Sequence, residues 1–249
     1  MSPNDTRLQG RRALVTGSTG GLGVAIAQTL AAQGAHVVVT GRDTDRGAAV
    51  VAAIQATGGV AEFVAADLGD GASEASRLVA AAGAVDILVN NAAIWSMPAP
   101  TADISEAVLL ESYRTNVVAP FLLTGALAPA MATRGGGAVV NIGSITGFIG
   151  GDQSALYNST KAAVHSLTKS WTAEYGPSGV RVNAVAPGPI ATERALEVAD
   201  HLAPVLARIP SRRMSTPAEV ASAVAFLVSD DAANVHGAIL SVDGGWAAT

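Results

Sequence analysis

Short apolar runs alternate with longer helical patterns along the whole of this 249-residue chain. Seven of the runs predict strands, at residues 13–16, 36–40, 61–65, 86–90, 138–142, 181–185 and 238–242. Helical patterns lie between them, at 22–33, 44–56, 72–82, 105–130, 155–175 and 217–228. Strands that are apolar throughout are typical of a parallel sheet with helices on both faces. The alternation therefore predicts an α/β fold, a doubly wound parallel sheet of about seven strands in a single domain over residues 1–249.

A glycine-rich loop joins the first predicted strand to the first predicted helix. Its glycines, Gly17, Gly21 and Gly23, follow a GxxxGxG spacing, with Ser18 and Leu22 between them. Backbone N–H groups in such a loop can bind a pyrophosphate, and glycine lets the chain approach the anion closely. An ordinary tight turn is the alternative, but the position between strand and helix favours a Rossmann-like dinucleotide site at these five residues.

Tyr157 and Lys161 are four residues apart in a predicted helix, so their side chains lie on one face, one turn apart. A tyrosine hydroxyl titrates near pH ~10, and a nearby ammonium lowers that pKa because it favours the phenolate. The phenol could then exchange a proton with an alcohol or a carbonyl near neutral pH. Ser144, thirteen residues upstream of Tyr157, could donate a second hydrogen bond to the same oxygen. His165 shares this helix face, where packing is favoured over catalysis.

With four further motifs, these features resemble the classical short-chain dehydrogenase/reductase family, in particular its 3-oxoacyl-acyl-carrier-protein reductase-like and related NADP-dependent members. The further motifs are Asp67 within Ala-Asp-Leu, Asn90-Asn91-Ala92-Ala93, Asn116 within Arg-Thr-Asn-Val, and Pro187-Gly188-Pro189-Ile190-Ala191-Thr192. The second departs from the family's NNAG by an alanine in the last position. The resemblance implies a catalytic tetrad of Asn116, Ser144, Tyr157 and Lys161. It implies cofactor contacts at Asp67, Leu68, Asn91, Ala92, Ala93, Tyr157, Lys161, Pro187, Gly188, Ile190 and Thr192.

The end of the second predicted strand, Gly41-Arg42-Asp43, bears on the choice of cofactor. NAD enzymes usually place an acid there to bond the ribose 2′-hydroxyl, and that position is Gly41 here. Arg42 can pair with a 2′-phosphate through its guanidinium, so the sequence predicts NADP. NAD is the alternative, with Arg42 as a solvated surface residue or Asp43 as the partner of the ribose.

Composition limits the other classes of partner. The chain has no cysteine, which excludes disulfides and thiolate metal sites, and its four histidines lack metal-ligand spacing, so no metal is predicted. Its net charge is −5 without a basic block, so no nucleic-acid partner is expected. No uninterrupted apolar stretch approaches the roughly 18–20 residues of a membrane span, and residues 1–12 are polar. We therefore expect a cytoplasmic protein without a membrane partner.

Residues 190–210 follow the sixth predicted strand and would lie at the carboxyl edge of the sheet, where ligands bind. They predict a mobile lid over a small-molecule substrate, and a rigid surface hairpin is the alternative. Side chains that follow strand ends near this edge are candidates for the substrate wall: Trp95, Phe148, Ile149 and Gln153.

The helical segments 105–130 and 155–175 are apolar on more than one face, which indicates a partner beyond their own sheet. The resemblance implies that this partner is another subunit, in a homotetramer that forms through these helices.

The predicted function is an NAD(P)-dependent oxidoreductase that interconverts a ketone and a secondary alcohol by hydride transfer, with Tyr157 as general acid and base. The alternatives are a catalytically silent dinucleotide-binding regulator and a non-redox relative such as a halohydrin dehalogenase. The intact tetrad argues against the first, and Lys161 with the glycine-rich loop argues against the second. An acyl-carrier substrate stays open, because basic side chains could meet an acidic carrier: Arg134, Arg208, Arg212 and Arg213.

Overall fold

A computed structural model describes residues 6–95, 98–150, 155–197 and 199–248. Seven strands form one parallel sheet in the order β3-β2-β1-β4-β5-β6-β7. The strands are β1 (Arg12–Val15), β2 (His36–Gly41), β3 (Val60–Ala65), β4 (Ile87–Asn90), β5 (Gly137–Ile142), β6 (Val180–Pro187) and β7 (Ile239–Val242). Each coincides with a predicted strand. The predicted α/β class with a doubly wound, Rossmann-like parallel sheet is confirmed.

Helices cover both faces of the sheet. They are α1 (Gly21–Ala32), α2 (Thr44–Ala56), α3 (Ala72–Ala82), α4 (Glu106–Tyr113), α5 (Ala119–Thr133), α6 (Ala155–Tyr175), α7 (Glu193–Leu196), α8 (Ala199–Leu206) and α9 (Pro217–Val228). The prediction of one continuous α-helix over 105–130 is wrong in one respect: a π-helical turn, Arg114–Val118, separates α4 from α5. Such turns are frequent at functional sites, and this one carries the buried Asn116.

The sheet lies between two apolar cores. On one face, Ile26 of α1 and Val224 of α9 are fully buried against the strands. On the other, Leu78 of α3, Leu123 of α5 and Trp171 of α6 fill the second core. Full burial of one such side chain contributes about 1.5–3 kcal/mol, so both faces fix the sheet as a rigid base for the loops at its edge.

The strand order reverses between β1 and β4, because the chain first builds outward through β2 and β3 and then returns to the other side of β1. Ligands of open α/β sheets bind outside the carboxyl ends of the strands at such a switch point. A ligand site is therefore expected at the loops that follow β1 and β4.

α9 begins with a capping box at Thr216. Thr216 Oγ1 accepts a hydrogen bond from the backbone N–H of Glu219 at 3.2 Å, and the Glu219 carboxylate accepts one from the N–H of Thr216 at 2.8 Å. Arg213 binds the same carboxylate through both terminal nitrogens, at 2.7 and 2.8 Å. This capping box fixes the chain shortly after the predicted lid.

Among the described residues, the helical stretch Glu106–Thr133 is long and apolar enough to cross a membrane by length and composition alone, with a hydropathy of 1.4. Of the most apolar 18 residues of this stretch, 44% are buried inside the protein. Core helices pass the same test, so this is weak evidence for a membrane span. The absence of a membrane partner stays a prediction.

Candidate active site

The loop after β1 requires glycine for two different reasons. Gly17 and Gly21 have φ values of +61° and +52°, in the left-handed region that favours glycine. At Gly23 an added Cβ would lie 2.3 Å from the carbonyl oxygen of Gly17. The loop leads into α1, whose first turn carries no acidic residue. The loop and helix start therefore fit a pyrophosphate, which a helix N-terminus attracts.

The loop after β4 holds the glycine-rich loop in place. Asn91 Nδ2 donates hydrogen bonds to the carbonyl oxygens of Thr16 at 2.9 Å and Gly17 at 3.1 Å. Thr16 Oγ1 accepts hydrogen bonds from the backbone N–H groups of Asn91 at 2.9 Å and Ala92 at 3.0 Å. The side chain of Asn91 thus positions the loop that faces the anion.

A cavity of about 500 Å³ opens above these two loops, which is within the usual range for a ligand site. Its lining includes nine residues that were predicted to bind the cofactor: Gly17, Leu22, Gly23, Arg42, Asp67, Leu68, Asn91, Ala92 and Ala93. Sequence reasoning missed others, namely Thr19, Gly20, Thr40, Gly41, Ala66, Gly69, Asp70, Ile94, Glu111 and Thr115. Glu111 and Thr115 come from the end of α4 and the π turn, where no sequence motif marks them. Thr19 was detectable, because it lies inside the glycine motif.

Ser18 lies beneath the loop and not in the cavity wall. It is fully buried, and its Oγ donates a hydrogen bond to the carbonyl oxygen of Val15 at 2.7 Å. The same Oγ accepts a hydrogen bond from the N–H of Thr40 at 3.0 Å, and the N–H of Ser18 donates to the carbonyl oxygen of Thr40 at 2.9 Å. Because these groups are engaged within the protein, Ser18 supports the loop and does not present its hydroxyl to the cavity.

The end of β2 has no room for a side chain at Gly41. An added Cβ there would lie 2.5 Å from Oγ1 and 2.7 Å from Cγ2 of Thr19. The next side chain, Arg42, is 77% exposed, and its guanidinium lies 3.9 Å from the Asp67 carboxylate. Asp43 caps α2, where its carboxylate accepts a 3.0 Å hydrogen bond from a backbone N–H of the first turn.

Asn116 joins the loop after β4 to α6. Its Oδ1 accepts a hydrogen bond from the N–H of Ile94 at 2.7 Å, and its Nδ2 donates to the carbonyl oxygen of Ile94 at 3.0 Å. Nδ2 also donates to Thr160 Oγ1 at 3.2 Å, and that hydroxyl donates to the carbonyl oxygen of Tyr157 at 2.8 Å. The contact therefore links Asn116 to the stretch of α6 that carries Tyr157 and Lys161.

Buried polar contacts fix α6 against the sheet. Asn141 of β5 donates a 2.9 Å hydrogen bond to Thr168 Oγ1 and accepts one of 2.8 Å from Asn90 of β4. Lys161 Nζ donates to the carbonyl oxygen of Ile142 at 2.8 Å. The lysine head is therefore held at the end of β5.

The charge states of Tyr157 and Lys161 differ from the sequence prediction. Lys161 Nζ lies 5.5 Å from the centre of the Tyr157 ring. Burial raises the pKa of Tyr157 to about 12 and lowers the pKa of Lys161 to about 8, because loss of water disfavours the charged form of each group. The sequence predicted a lowered phenol pKa, but the pKa of Tyr157 is raised, and burial is the cause.

Ser144 lies at the end of β5, beside this helix. Its Oγ accepts hydrogen bonds from the N–H of Thr146 at 3.2 Å and from Thr146 Oγ1 at 3.0 Å. A hydroxyl that accepts two hydrogen bonds retains its own proton as a donor. No motif predicted Thr146, although it lies two residues from Ser144.

His165 packs beneath the turn that follows Ser144. Its ring centre lies 4.5 Å from that of Phe148, and an added Cβ at Gly143 would lie 2.3 Å from His165 Nε2. The side chain is buried, and neither ring nitrogen has a hydrogen-bond partner among the described residues. Burial, with the charges of Lys161 and Lys169, lowers the pKa of His165 to about 4. This environment agrees with a packing role.

The segment from Pro187 to Thr192 passes from β6 over the glycine-rich loop. Gly188 donates a 3.1 Å backbone hydrogen bond to the end of β7, and Ile190 bridges to the strand-like segment before α9. The Thr192 methyl would lie 3.5 Å from a Cβ added at Gly21. The structure therefore brings Thr192 to the cofactor loop, while Ile190 is held to the segment before α9.

Thr192 also begins the predicted lid, whose described residues contain α7 and α8. Its Oγ1 caps α7 by accepting a 3.4 Å hydrogen bond. From α7, Arg194 places its guanidinium 5.2 Å from the centre of the Trp95 ring. Of the other predicted wall residues, Phe148 is 48% exposed and Gln153 lies outside the described residues. Within the described ranges, no cluster of three or more metal-ligating side chains could hold a metal ion.

Residues 17–247 match a family model described as enoyl-(acyl carrier protein) reductase. The 3-oxoacyl-[acyl-carrier-protein] reductase of Vibrio cholerae is 37% identical over 239 residues, which cover 96% of this chain and 98% of that protein. Cis-4-hydroxycyclohexanecarboxylate dehydrogenase of Sinomonas cyclohexanicum is 41% identical over 166 residues, which cover 66% of this chain and 67% of that enzyme.

Solved structures share the whole fold. A short-chain dehydrogenase/reductase family protein is 44% identical with a TM-score of 0.91, and the match covers 98% of this chain and 100% of that one. A protein assigned as an NAD(P)-dependent gluconate 5-dehydrogenase from Beutenbergia cavernae, with NADP bound at low occupancy, is 40% identical with a TM-score of 0.93. That match covers 99% of this chain and 100% of the neighbour.

Proposed function

This chain belongs to the short-chain dehydrogenase/reductase family, and from that premise we propose that it interconverts a ketone and a secondary alcohol with a nicotinamide dinucleotide. The observation that carries the proposal is the pair of contacts of Asn116, with Ile94 in the cavity wall and with Thr160 beside Lys161. These contacts support the proposal because they link the cavity wall to the stretch of α6 that carries Tyr157 and Lys161. When bound there, the cofactor supplies or accepts the hydride.

Tyr157 is the proposed proton-transfer group. In reduction its hydroxyl donates a proton to the carbonyl oxygen, and in oxidation its phenolate accepts the proton of the alcohol. Because burial raises its pKa to about 12, the phenol is the form present at neutral pH. That form is the one that reduction requires.

The other members of the tetrad act around this oxygen. Ser144 offers its remaining hydroxyl proton to the substrate oxygen, since Thr146 already donates two hydrogen bonds to it. Lys161, held by the end of β5, stabilises the phenolate as it forms and is the proposed partner of the nicotinamide ribose. Asn116 positions the loop after β4 relative to α6.

NADP is the proposed cofactor. Thr19 fills the space that an acidic side chain at Gly41 would need, and Asp43 is engaged as the cap of α2. Arg42 is therefore the charged side chain of this strand end that is available to a 2′-phosphate. Its contact with Asp67, at 3.9 Å and largely exposed, competes with that phosphate and moderates the preference. NAD binding is the alternative.

A small molecule is the proposed substrate. The reductase from Vibrio cholerae acts, by its name, on a carrier-bound 3-oxoacyl group, and the Sinomonas enzyme acts on a cyclic hydroxy acid. An acidic carrier protein would need basic side chains around the pocket mouth. Arg213, one of the four arginines considered for that role, forms a bidentate ion pair with Glu219. This supports a free substrate over a carrier-bound one.

A homotetramer is the proposed assembly, formed by a single-domain chain whose residues 190–210 cover the substrate. Large apolar side chains are exposed on two separate faces, one on α4 and α5 and one on α9 and β7, and exposed apolar patches mark interaction sites. They are Val108, Leu109, Leu110, Val118 and Phe121 on the first face and Phe226 and Leu240 on the second. A cytoplasmic location is part of the same proposal, and cell fractionation tests it.

The function is tested by following NADPH and NADH oxidation against a panel of ketones. Turnover that Tyr157→Phe abolishes and Tyr113→Phe preserves supports the proposal, because Tyr113 is a tyrosine outside the tetrad. A silent regulator would bind the dinucleotide without turnover in either direction. Turnover of Tyr157→Phe near the wild-type rate would exclude the proposed chemistry.

A further inference from the structure

Trp95 lies next to the wall of the dinucleotide cavity, which Ile94 lines. It directly follows Ile94, whose backbone N–H and carbonyl are both bonded to the Asn116 side chain. Asn116 is bonded in turn to Thr160, the neighbour of Lys161. The chain at Trp95 is therefore tied through Ile94 to Asn116, and Trp95 is only partly buried.

Arg194 reaches the same place from the opposite side. Thr192 caps the short helix α7 and lies against the start of α1, which fixes where α7 begins. From there Arg194 extends to Trp95, with the centre of its guanidinium 5.2 Å from the ring centre. The two side chains bridge the segment over the cofactor loop and the wall after β4.

The guanidinium of Arg194 is not neutralised by the part of the chain that the structure describes. Most arginines of these residues pair with a carboxylate, as Arg12 does with Glu62 and Arg213 with Glu219. Arg194 forms no salt bridge with the described residues, although Glu193 and Glu197 are close to it in sequence. Its guanidinium instead lies over the aromatic ring of Trp95. Stacking on a ring leaves the N–H groups in the guanidinium plane open to a ligand.

We propose that the Trp95–Arg194 pair is the recognition site for a substrate carboxylate, so that the substrate is a hydroxy acid and its product a keto acid. A planar guanidinium binds a carboxylate through two parallel hydrogen bonds, which fixes orientation as well as position. Trp95 holds the guanidinium in place and covers the apolar part of the substrate. This inference rests on the proposed oxidoreductase function and adds the chemical class of its substrate.

The expected effect is on binding. Loss of a charge-assisted hydrogen bond weakens binding by roughly 10- to 150-fold, and exposure of Arg194 puts the result nearer the lower figure. Because the carboxylate is bound equally in the ground and transition states, the loss raises KM and leaves kcat nearly unchanged. The effect shrinks as salt rises, since an exposed ion pair is screened.

The test compares matched keto acids and keto amides, which differ in charge and hardly in shape. Wild type is expected to prefer the acid in kcat/KM, Arg194→Ala to lose that preference, and Arg194→Lys to recover part of it. Trp95→Phe is expected to keep the preference and Trp95→Leu to reduce it. Arg11→Ala is the control, because Arg11 is an exposed arginine that precedes β1, at the edge of the sheet away from the site, and it is expected to change nothing.

A binding measurement separates this inference from the proposed function. Calorimetric titration of the NADP-saturated enzyme with unreactive cyclohexanecarboxylate and with its amide is expected to show tighter binding of the acid, and Arg194→Ala is expected to abolish the difference. Equal binding of acid and amide to wild type, or equal losses for both in Arg194→Ala, would overturn the carboxylate site. If ketones in general are not turned over while the acid still binds, the reaction is wrong and the site stands.

Discussion

Replacement of His165 by leucine is expected to make the protein's stability less sensitive to acid. The imidazole is buried between Phe148 and the chain at Gly143, with no hydrogen-bond partner among the described residues. Burial, with the charges of Lys161 and Lys169 added, lowers its pKa from 6.5 to about 4. The folded protein therefore keeps this ring neutral at pH values where the unfolded chain protonates it.

The sign and the size follow from this difference. Between about pH 6.5 and pH 4 the unfolded state binds one more proton at this histidine than the folded state does, so the free energy of unfolding falls as the pH falls. A pKa lowered from 6.5 to about 4 corresponds to about 3 kcal/mol over the whole window. Between pH 7 and pH 4.5 the loss is about 2 kcal/mol, and below about pH 3 this group contributes no further loss.

Urea unfolding at fixed protein concentration, followed by tryptophan fluorescence at pH 7, 6, 5 and 4.5, measures the effect. The quantity to compare is the loss of unfolding free energy between pH 7 and pH 4.5 within each variant, because a constant cost of the leucine then cancels. His165→Leu is expected to lose about 2 kcal/mol less than wild type. His236→Gln is the control, since His236 is exposed, and it is expected to follow wild type. Equal acid losses in wild type and His165→Leu would refute the reasoning.

Three further changes test the site. Tyr157→Phe is expected to lower turnover by roughly 10²-fold or more while dinucleotide binding persists. The rate of alcohol oxidation by the wild type is expected to rise with pH above neutrality, because burial raises the pKa of Tyr157. A flat pH profile would contradict this. Arg42→Ala is expected to weaken the binding of NADPH by about tenfold and to leave the binding of NADH unchanged. Equal losses of affinity for both cofactors in titrations would mean that Arg42 only faces solvent. Gly23→Ala is expected to lower the melting temperature and abolish dinucleotide binding, because its Cβ would lie 2.3 Å from the Gly17 carbonyl oxygen; unchanged binding by calorimetry would show that the loop can shift.

The strands and the glycine-rich loop could be predicted because their signals are local. Buried parallel strands are uninterrupted apolar runs, and β2 between His36 and Gly41 shows such a run both in the sequence and in the sheet. The break between α4 and α5 has no such signal, because the same apolar spacing fits an α-helix and a π turn. What sets it is tertiary: the Asn116 amide bonds the backbone of Ile94, which is 22 residues away.

The sequence identified which polar residues lie near the site more reliably than it identified the direction in which their side chains point. Ser18 and Asp43 both lie within the predicted motifs, yet Ser18 turns inward to Val15 and Asp43 turns back to cap α2. In each case a backbone group close by competes for the side chain, as short polar side chains often do. Sequence spacing places a residue near a ligand, but the nearest unsatisfied backbone group decides where its oxygen points.

The charge of the catalytic pair shows the same limit for electrostatics. Spacing alone indicates that Lys161 stands one turn from Tyr157, and a cation at that distance should lower the pKa of the phenol. Burial acts on both groups at once, so that the pKa of Lys161 falls to about 8 and the pKa of Tyr157 rises to about 12. At neutral pH the pair is an ammonium beside a neutral phenol, which can donate a proton to a carbonyl oxygen directly but must first be deprotonated to accept one from an alcohol. On this reasoning ketone reduction is the faster direction at neutral pH, and oxidation gains on it as the pH rises.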